Sequence, residues 1–432
     1  MTIEVSRRSF LNQSVCVTLA ASTGGLLAGC GGAEAQSRIS PTDEAYWNSI
    51  VGRYNVNVAP NIYNLENGYY GVMTKDVMAD YLRNIEHLNF NNTFYLRTTH
   101  GADAEAVRKK IAEVLGVLPE EIALTRGATE ALQILITNYN LIQPGEVAIY
   151  SDLDYGAMQS CMKYLKDRRG ANVVAISMPE PATKQGIIDA YAAAFAANPK
   201  TRLVLLTHVS HRTGMVIPVE DIAAMAKAKG IDVIVDAAHS WGQLDFTMAD
   251  MPNVDFVGFN LHKWMGVPLG VGFLYIRKER VRDIDPFIEP KDSDNGRIDM
   301  RVHTGTTNIA NMLTVPAALN EHVALGADNK QARLRYLRDY WVSRVRGFNG
   351  MNILTPDEPG SYGAITSFAL TGKRTAAETD AVVRELRDKY KVFTVRPGGP
   401  NGGECVRVSP ALYNTPSDLD QLVAALKAIT QS

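Results

Sequence analysis

Four short segments carry residue types able to do chemistry, and each follows an apolar run. Lys263 lies in Phe259-Asn260-Leu261-His262-Lys263-Trp264, ahead of the Gly-rich stretch from Gly266 to Gly272. Burial disfavours the charged form of an amine, so a lysine placed between a buried strand and a tight turn becomes a nucleophile. A solvated surface lysine would have no such property. Asn260 and His262 beside it are donors for a phosphate, or else only satisfy neighbouring backbone groups. Asp236 closes the apolar run Val233–Asp236, where a carboxylate needs a cation or a donor. A protonated ring nitrogen is the chemical partner, and capping of a following helix is the structural one. In Thr125-Arg126-Gly127-Ala128-Thr129-Glu130, small residues open a helix whose free N–H groups, with the Thr129 hydroxyl, suit an anion. Thr129 as a plain helix cap is the alternative. Arg407, within the alternating Val406–Ser409, offers a planar fork for a carboxylate, and a structural ion pair explains it equally well.

These segments need a scaffold. Apolar runs at Glu146–Tyr150, Val173–Ser177, Leu203–His208, Val233–Asp236, Asp255–Phe259 and Val271–Ile276 alternate with helical stretches such as Val219–Lys229. Strands apolar on both faces, separated by helices, predict a mainly parallel sheet covered on both sides. Ligands of such sheets bind beyond the carboxyl ends of the strands, which is where the four segments fall. Val107, Ile111, Val114 and Leu115 fall on one face of a helix over 103–115. Residues 36–60 read as an extended entry segment. Beyond about 325 a long charged helix (329–346) is followed by mixed strands and helices. The division expected is 1–35 as a signal peptide, 36–65 as a segment joining the small domain, 66–325 as the large domain and 326–432 as a smaller α+β domain.

Composition narrows the function. Of 432 residues, 46% are apolar and 21% charged, a globular balance. With 44 Lys+Arg against 46 Asp+Glu the formal charge is −2, which leaves no basic excess for a nucleic-acid backbone. The four cysteines, Cys16, Cys30, Cys161 and Cys405, show no zinc-ligand or disulfide spacing, and no metal is expected. Arg7-Arg8 ahead of the run from Val15 to Gly29 resembles a twin-arginine export signal, used for proteins translocated already folded. Leu27-Ala28-Gly29-Cys30 resembles a lipobox that would anchor the chain through Cys30, and Ala33-Glu34-Ala35 an ordinary cleavage site. Both imply a periplasmic protein and a cofactor acquired before export.

A phosphate cup, an aspartate for a ring nitrogen, a lysine for a Schiff base and an arginine for a carboxylate are together what pyridoxal 5′-phosphate requires. Their order and spacing over residues 60–425 resemble the class V aminotransferases, pyridoxal-phosphate enzymes of fold type I. That family includes cysteine desulfurases, kynureninase and isopenicillin N epimerase. The resemblance implies an α/β fold with a large cofactor-binding domain and a smaller C-terminal one. It makes Lys263 the cofactor-linked acid/base, Asp236 the partner of the ring nitrogen and His239 the partner of the ring oxygen. Ala128, Thr129, Asn260 and His262 would hold the phosphate, with Tyr155 flat on the ring and His211 nearby. Arg407 would take the substrate carboxylate, and Asn67, in Asn67-Gly68-Tyr69-Tyr70, would line the substrate pocket. Gly305-Thr306-Thr307-Asn308 resembles the loop that reaches the neighbouring subunit's phosphate, so Thr306 implies a homodimer.

Departures from the family pattern bear on the reaction. The stretch from Arg396 to Gly403, where desulfurases carry a mobile cysteine, has none, and Cys405 reads as a small buried residue. The segments around Tyr155 and Val209–Gly214 resemble the isopenicillin-N-epimerase-like branch, and the export signal makes the chain similar to periplasmic enzymes that tailor pyoverdine siderophores. Amino-group transfer on an amino-acid-like small molecule is the first expectation. Epimerisation and C–S or other β-elimination are the enzymatic alternatives, and an amino-acid-binding envelope lipoprotein is the non-enzymatic one.

Overall fold

The computed structural model describes residues 38–56, 58, 61–287 and 296–431. The export signal and Cys30 lie outside the described residues. Among the described residues, twelve strands are numbered in chain order. β1 is Tyr63–Asn64, β2 Ile122–Thr125, β3 Val147–Ser151, β4 Asn172–Ile176, β5 Thr201–Thr207 and β6 Asp232–Ala237. β7 is Phe256–Asn260, β8 Gly272–Ile276, β9 Met351–Ile353, β10 Thr366–Leu370, β11 Val392–Phe393 and β12 Val406–Val408.

Seven of them form the main sheet in the order β2-β8-β7-β6-β5-β3-β4. β8 runs antiparallel to both its neighbours and the other pairs are parallel, so β8 alone is reversed. Side chains alternate across a strand, and here both faces are apolar. In β5, Val204 and Leu206 face a cluster with Val107, Ile111, Ile187 and Ile222. Leu203 and Leu205 face another with Leu132, Leu135, Met158 and Leu274. Helices over 100–115, 184–197 and 219–227 supply the first layer, and those over 128–137 and 156–169 the second. The expected covered, mainly parallel sheet is therefore present.

β9, β10 and β12 form a separate antiparallel sheet, packed by helices Ala327–Val345, Ala376–Asp388 and Pro416–Gln431 around Leu337, Trp341, Phe368 and Leu422. β1 pairs in parallel with β11, and Glu66 bridges to Ser409, so the chain ahead of the large sheet is tied to this C-terminal part. From Arg38 onward the chain forms one compact unit.

The entry segment differs from expectation: Glu44–Val51 is a helix. Asp43 Oδ1 accepts from Tyr46 N (3.1 Å), and Trp47 and Ile50 are buried. Eight residues are too few for a periodic pattern to declare itself, and the anchoring comes from tertiary burial of Trp47.

Candidate active site

The strands sharing one direction end along one edge of the sheet, and the segments leaving that edge build a single cavity of about 470 Å³. Thr125–Thr129 follow β2, Asp154–Tyr155 follow β3, His211 lies beyond β5, Asp236–His239 end β6, and Asn260–Lys263 leave β7. Ala128, Thr129, Tyr155, His211, Asp236, His239, Asn260, His262, Lys263 and Arg407 all line this cavity. Strand order in the main sheet gathers the residues from Ala128 to Lys263, and Arg407 reaches the same cavity from β12 of the separate C-terminal sheet.

Lys263 fronts the cavity, with protein on its other sides. Its amine is brought down to about 8, chiefly by desolvation and also by Arg407, while Asp236 and Glu66 favour the ammonium. Its Nζ stands 2.8 Å from His239 Nε2. The backbone here is fixed by a close approach, since Gly71 N donates to His262 O (3.0 Å) and a Cβ on Gly71 would fall 1.6 Å from Lys263 O.

Asp236 is buried. Burial raises its carboxyl above the ordinary range, and Ala238 N–H and Lys263 oppose that. The hydrogen bond from Ala238 N (2.9 Å) holds a local turn through one oxygen; no helix follows to be capped. The neighbouring Asp154, also buried, is pushed up to about 7 although Thr207 and Ser151 donate to it.

The anion cup differs in detail from expectation. The cap of helix Ala128–Thr137 is Gly127, so Thr129 is not a cap. Ala128 N–H is already taken by Asn260 Oδ1 (2.7 Å), which leaves the Asn260 amide nitrogen as a donor. The first intrahelical bond is Ala131 N to Gly127 O, so the Thr129 and Glu130 amides precede the helical ladder and face an incoming anion. A Cβ on Gly127 would stand 2.9 Å from Asn260 Oδ1 and 3.2 Å from His262 Cε1, so this floor must be glycine. His262 Nδ1–H donates to Val271 O (3.1 Å), and burial keeps the ring below the ordinary imidazole range. Its neutral form therefore offers Nε2 as an acceptor, and it donates to a phosphate only after taking a proton.

Arg407 supplies the largest surprise. Its Nε and Nη2 grip Glu66 (3.3 and 2.5 Å) and its Nη1 donates to His211 O (2.6 Å). Both side chains of the pair are over nine-tenths buried. The structural ion pair weighed for Arg407 is thus real, and the arginine still lines the cavity. Glu66 Oε1 also accepts from Tyr69 N (2.9 Å), wrapping the 66–69 turn over the guanidinium. Sequence reasoning missed Glu66 because nothing in Asn64–Tyr70 announces a contact with a residue 341 positions away.

Asn67, expected to line the pocket, does not reach the cavity, and Thr306, expected at a neighbouring subunit's site, lies outside that of its own chain. Asn67 is buried beside it, its amide donating to Ser409 O (2.8 Å) and accepting from Tyr413 OH (2.5 Å), so it ties the chain ends together. Thr306 is exposed and away from the cavity of its own chain. Tyr155 is 44% exposed at the rim, edge-on to His211 at 5.4 Å between ring centres. Cys405 is buried, its thiol donating to Gly398 O, and desolvation pushes it up to about 12.

Comparison with known proteins gives the same picture. The family model described as aminotransferase class-V matches residues 73–422. The chain is 28% identical to an isopenicillin N epimerase of Streptomyces clavuligerus over 89% of this chain and 99% of that one. It is 24% identical to a cysteine desulfurase of Haloferax volcanii over 88% and 92%. Among solved structures, a cysteine desulfurase from Escherichia coli superposes with a TM-score of 0.74 at 20% identity, covering 89% of this chain and 98% of that one. A cystine C-S lyase in complex with cysteine persulfide superposes at 0.72 and 21%, covering 85% and 98%.

The residues present fit pyridoxal phosphate. Asp236, buried with one hydrogen bond, lacks the cation that a protonated ring nitrogen brings. The glycine floor and the Thr129 and Glu130 amides suit an anion, and a desolvated amine lines the same cavity as Asp236.

Proposed function

Given that the chain belongs to the aminotransferase class-V family, whose members work with pyridoxal 5′-phosphate, we propose that it acts at the amino group or α-carbon of an amino-acid-like small molecule, with amino-group transfer as its reaction. The observation that carries this reading is the Lys263 amine, desolvated, 2.8 Å from His239 and in one cavity with Asp236 and Arg407. Bound here, the cofactor supplies an electron sink that eases bond breaking at the substrate's α-carbon. Lys263 Nζ would hold the cofactor and would move the α-proton as a base of suitable strength near neutral pH. Asp236 would keep a ring nitrogen protonated, and His239 would donate to the ring oxygen. Thr129, Glu130 and Asn260 donors orient the phosphate. Arg407 draws the substrate carboxylate, in competition with Glu66. Desulfuration through a nucleophilic cysteine is disfavoured by the buried, strongly raised Cys405 thiol.

Epimerisation is the second reading. Burial holds His211 well below the ordinary imidazole range, so it is a neutral acid/base candidate beside Tyr155, and an isopenicillin N epimerase is among the relatives. C–S or β-elimination is a third, since desulfurases and a C-S lyase are also similar. A binding-only lipoprotein would need neither Lys263 nor Asp236. The test is a screen of amino donors, siderophore precursors included, in D2O. Keto acid formed with loss of the amino group supports transfer, deuterium with inverted configuration supports epimerisation, and pyruvate with ammonia supports elimination. Turnover surviving in Lys263→Ala would end the proposal.

We further propose a homodimer. The helix Lys75–Thr98 exposes Met78, Leu82, Ile85, Phe90 and Phe94, a partner for which is a second copy bringing Thr306 to the neighbouring phosphate site. Export in folded form by the twin-arginine machinery, residence in the periplasm, attachment through Cys30 and tailoring of a siderophore or peptide there are part of the same proposal. Mass spectrometry of the mature N-terminus tests the attachment.

A further inference from the structure

Trp264 follows Lys263 in sequence, yet its side chain turns back into the protein and its indole Nε1–H reaches His239 Nδ1 at 3.3 Å. Indole nitrogen only donates, so His239 Nδ1 must be bare. Burial and the nearby Lys263 and Arg407 hold the His239 ring well below the ordinary imidazole range, so the ring is neutral and carries one proton. That proton is then on Nε2, which faces Lys263 Nζ at 2.8 Å. An ammonium there would set hydrogen against hydrogen, whereas a free-base amine accepts. The contact is therefore that of the free-base amine, the form that predominates above about pH 8.

We propose that Trp264 is a positioning residue that fixes the His239 proton on Nε2, making His239 an obligate donor to whatever occupies the position in front of Lys263. Trp264 is itself held firmly. It is 7% exposed, Lys330 Nζ donates to its carbonyl, and a Cβ on Gly242 would fall 2.8 Å from its carbonyl carbon. The backbone of Trp264 is thus pinned, and its indole is confined by burial in a cluster with Leu325, Leu334 and Leu412. Without that donor, the ring would divide its proton between the two nitrogens, and the fraction with Nδ1–H would present a lone pair to the cavity. A lone pair there repels a ring oxygen bearing negative charge, while Nε2–H stabilises it.

The inference rests on the pyridoxal-phosphate reading only for its consequence; the tautomer itself is a property of the protein. Holoenzyme labelled with 15N-histidine, and the same protein stripped of cofactor, should both show His239 with a bare Nδ1 and a protonated Nε2. In Trp264→Phe, which keeps an apolar ring, the two tautomers should mix. The pH at which the cofactor's absorption band changes should rise by about one pH unit, a tenfold loss of the ionised form. Adding His239→Gln, whose amide donates without a tautomer to control, should restore the midpoint. A proton on Nδ1 in the wild-type protein overturns the inference even if every variant misfolds. So does a Trp264→Phe protein that keeps the wild-type tautomer and midpoint. Borohydride reduction and peptide mapping separate the two readings: cofactor mass on the Lys263 peptide with the proton on Nδ1 sinks only the tautomer lock, while no mass with the proton on Nε2 sinks only the cofactor assignment.

Discussion

Lys263 in cofactor-stripped protein should capture added pyridoxal phosphate with a rate that follows its free-base fraction. Desolvation brings its amine from 10.5 to about 8. At pH 7 the reactive fraction is then about one in eleven, against about one in three thousand for an ordinary lysine, an advantage of roughly 300-fold. The sign is fixed by the cause: burial penalises the ammonium, so the base form is half present at about pH 8, about nine-tenths at pH 9, and falls about tenfold per pH unit well below 8. The rate, followed by the cofactor's absorbance from pH 7 to 10, should therefore rise and flatten near 8. That window lies above the second phosphate ionisation, near 6, so the charge on the cofactor's phosphate is steady. Asp236 favours the ammonium, so Asp236→Asn should move the midpoint to lower pH. Borohydride trapping and peptide mapping confirm the attachment site. A rate that climbs unbroken to pH 10 would show a solvated amine and refute the argument, as would an upward midpoint shift in Asp236→Asn.

Gly71→Ala drives a Cβ to 1.6 Å from Lys263 O, so it should cost about 1–3 kcal/mol in overpacking and release cofactor; an unchanged melting temperature with full cofactor content would contradict it. Cys405→Ala should leave turnover within about twofold, because a buried thiol raised to about 12 is no nucleophile at neutral pH, and fast alkylation of the native protein would say otherwise. Glu66→Gln frees one face of the Arg407 fork and should tighten binding of substrate-like carboxylates by about tenfold, measured by titrating the cofactor spectrum. Weaker binding in that variant would mean that Glu66 serves to hold the guanidinium in place.

What the sequence disclosed and what it hid divide along a physical line. Strand runs such as 203–208 and 233–236 were legible because burial on both faces leaves a continuous apolar signature, and their termini then point to the ligand edge. Lys263, Asp236 and Arg407 stood out because a charge beside such a run is costly without a purpose. Glu66, Trp264 and the tautomer of His262 were not legible, since each is decided by a partner far away in sequence or by the direction of one N–H bond. Asn67 misled for the same reason: its motif lies beside the pocket, yet Tyr413 and Ser409 claim its amide. The helix Glu44–Val51 escaped because its stability comes from Trp47 entering a cluster with Leu334 and Ile365.

The arrangement of charge in the cavity explains why burial yields chemistry there. Arg407 is matched by Glu66, and desolvation holds His211, His239 and His262 in neutral form. Lys263 is poised between its two forms, and Asp236 is left with a single hydrogen bond. A ligand that brings a cationic ring nitrogen to Asp236 and an anion to the Thr129 and Glu130 amides therefore answers two unmet demands at once within one cavity. Such a ligand makes the ionised Asp236 the favoured form. Asp236 is also the largest influence favouring the Lys263 ammonium, and pairing it with the ring nitrogen weakens that influence. Filling the aspartate's side of the cavity therefore pushes the lysine toward free base. The amine becomes most reactive when the group it must join is already oriented, so recognition and activation are a single electrostatic event.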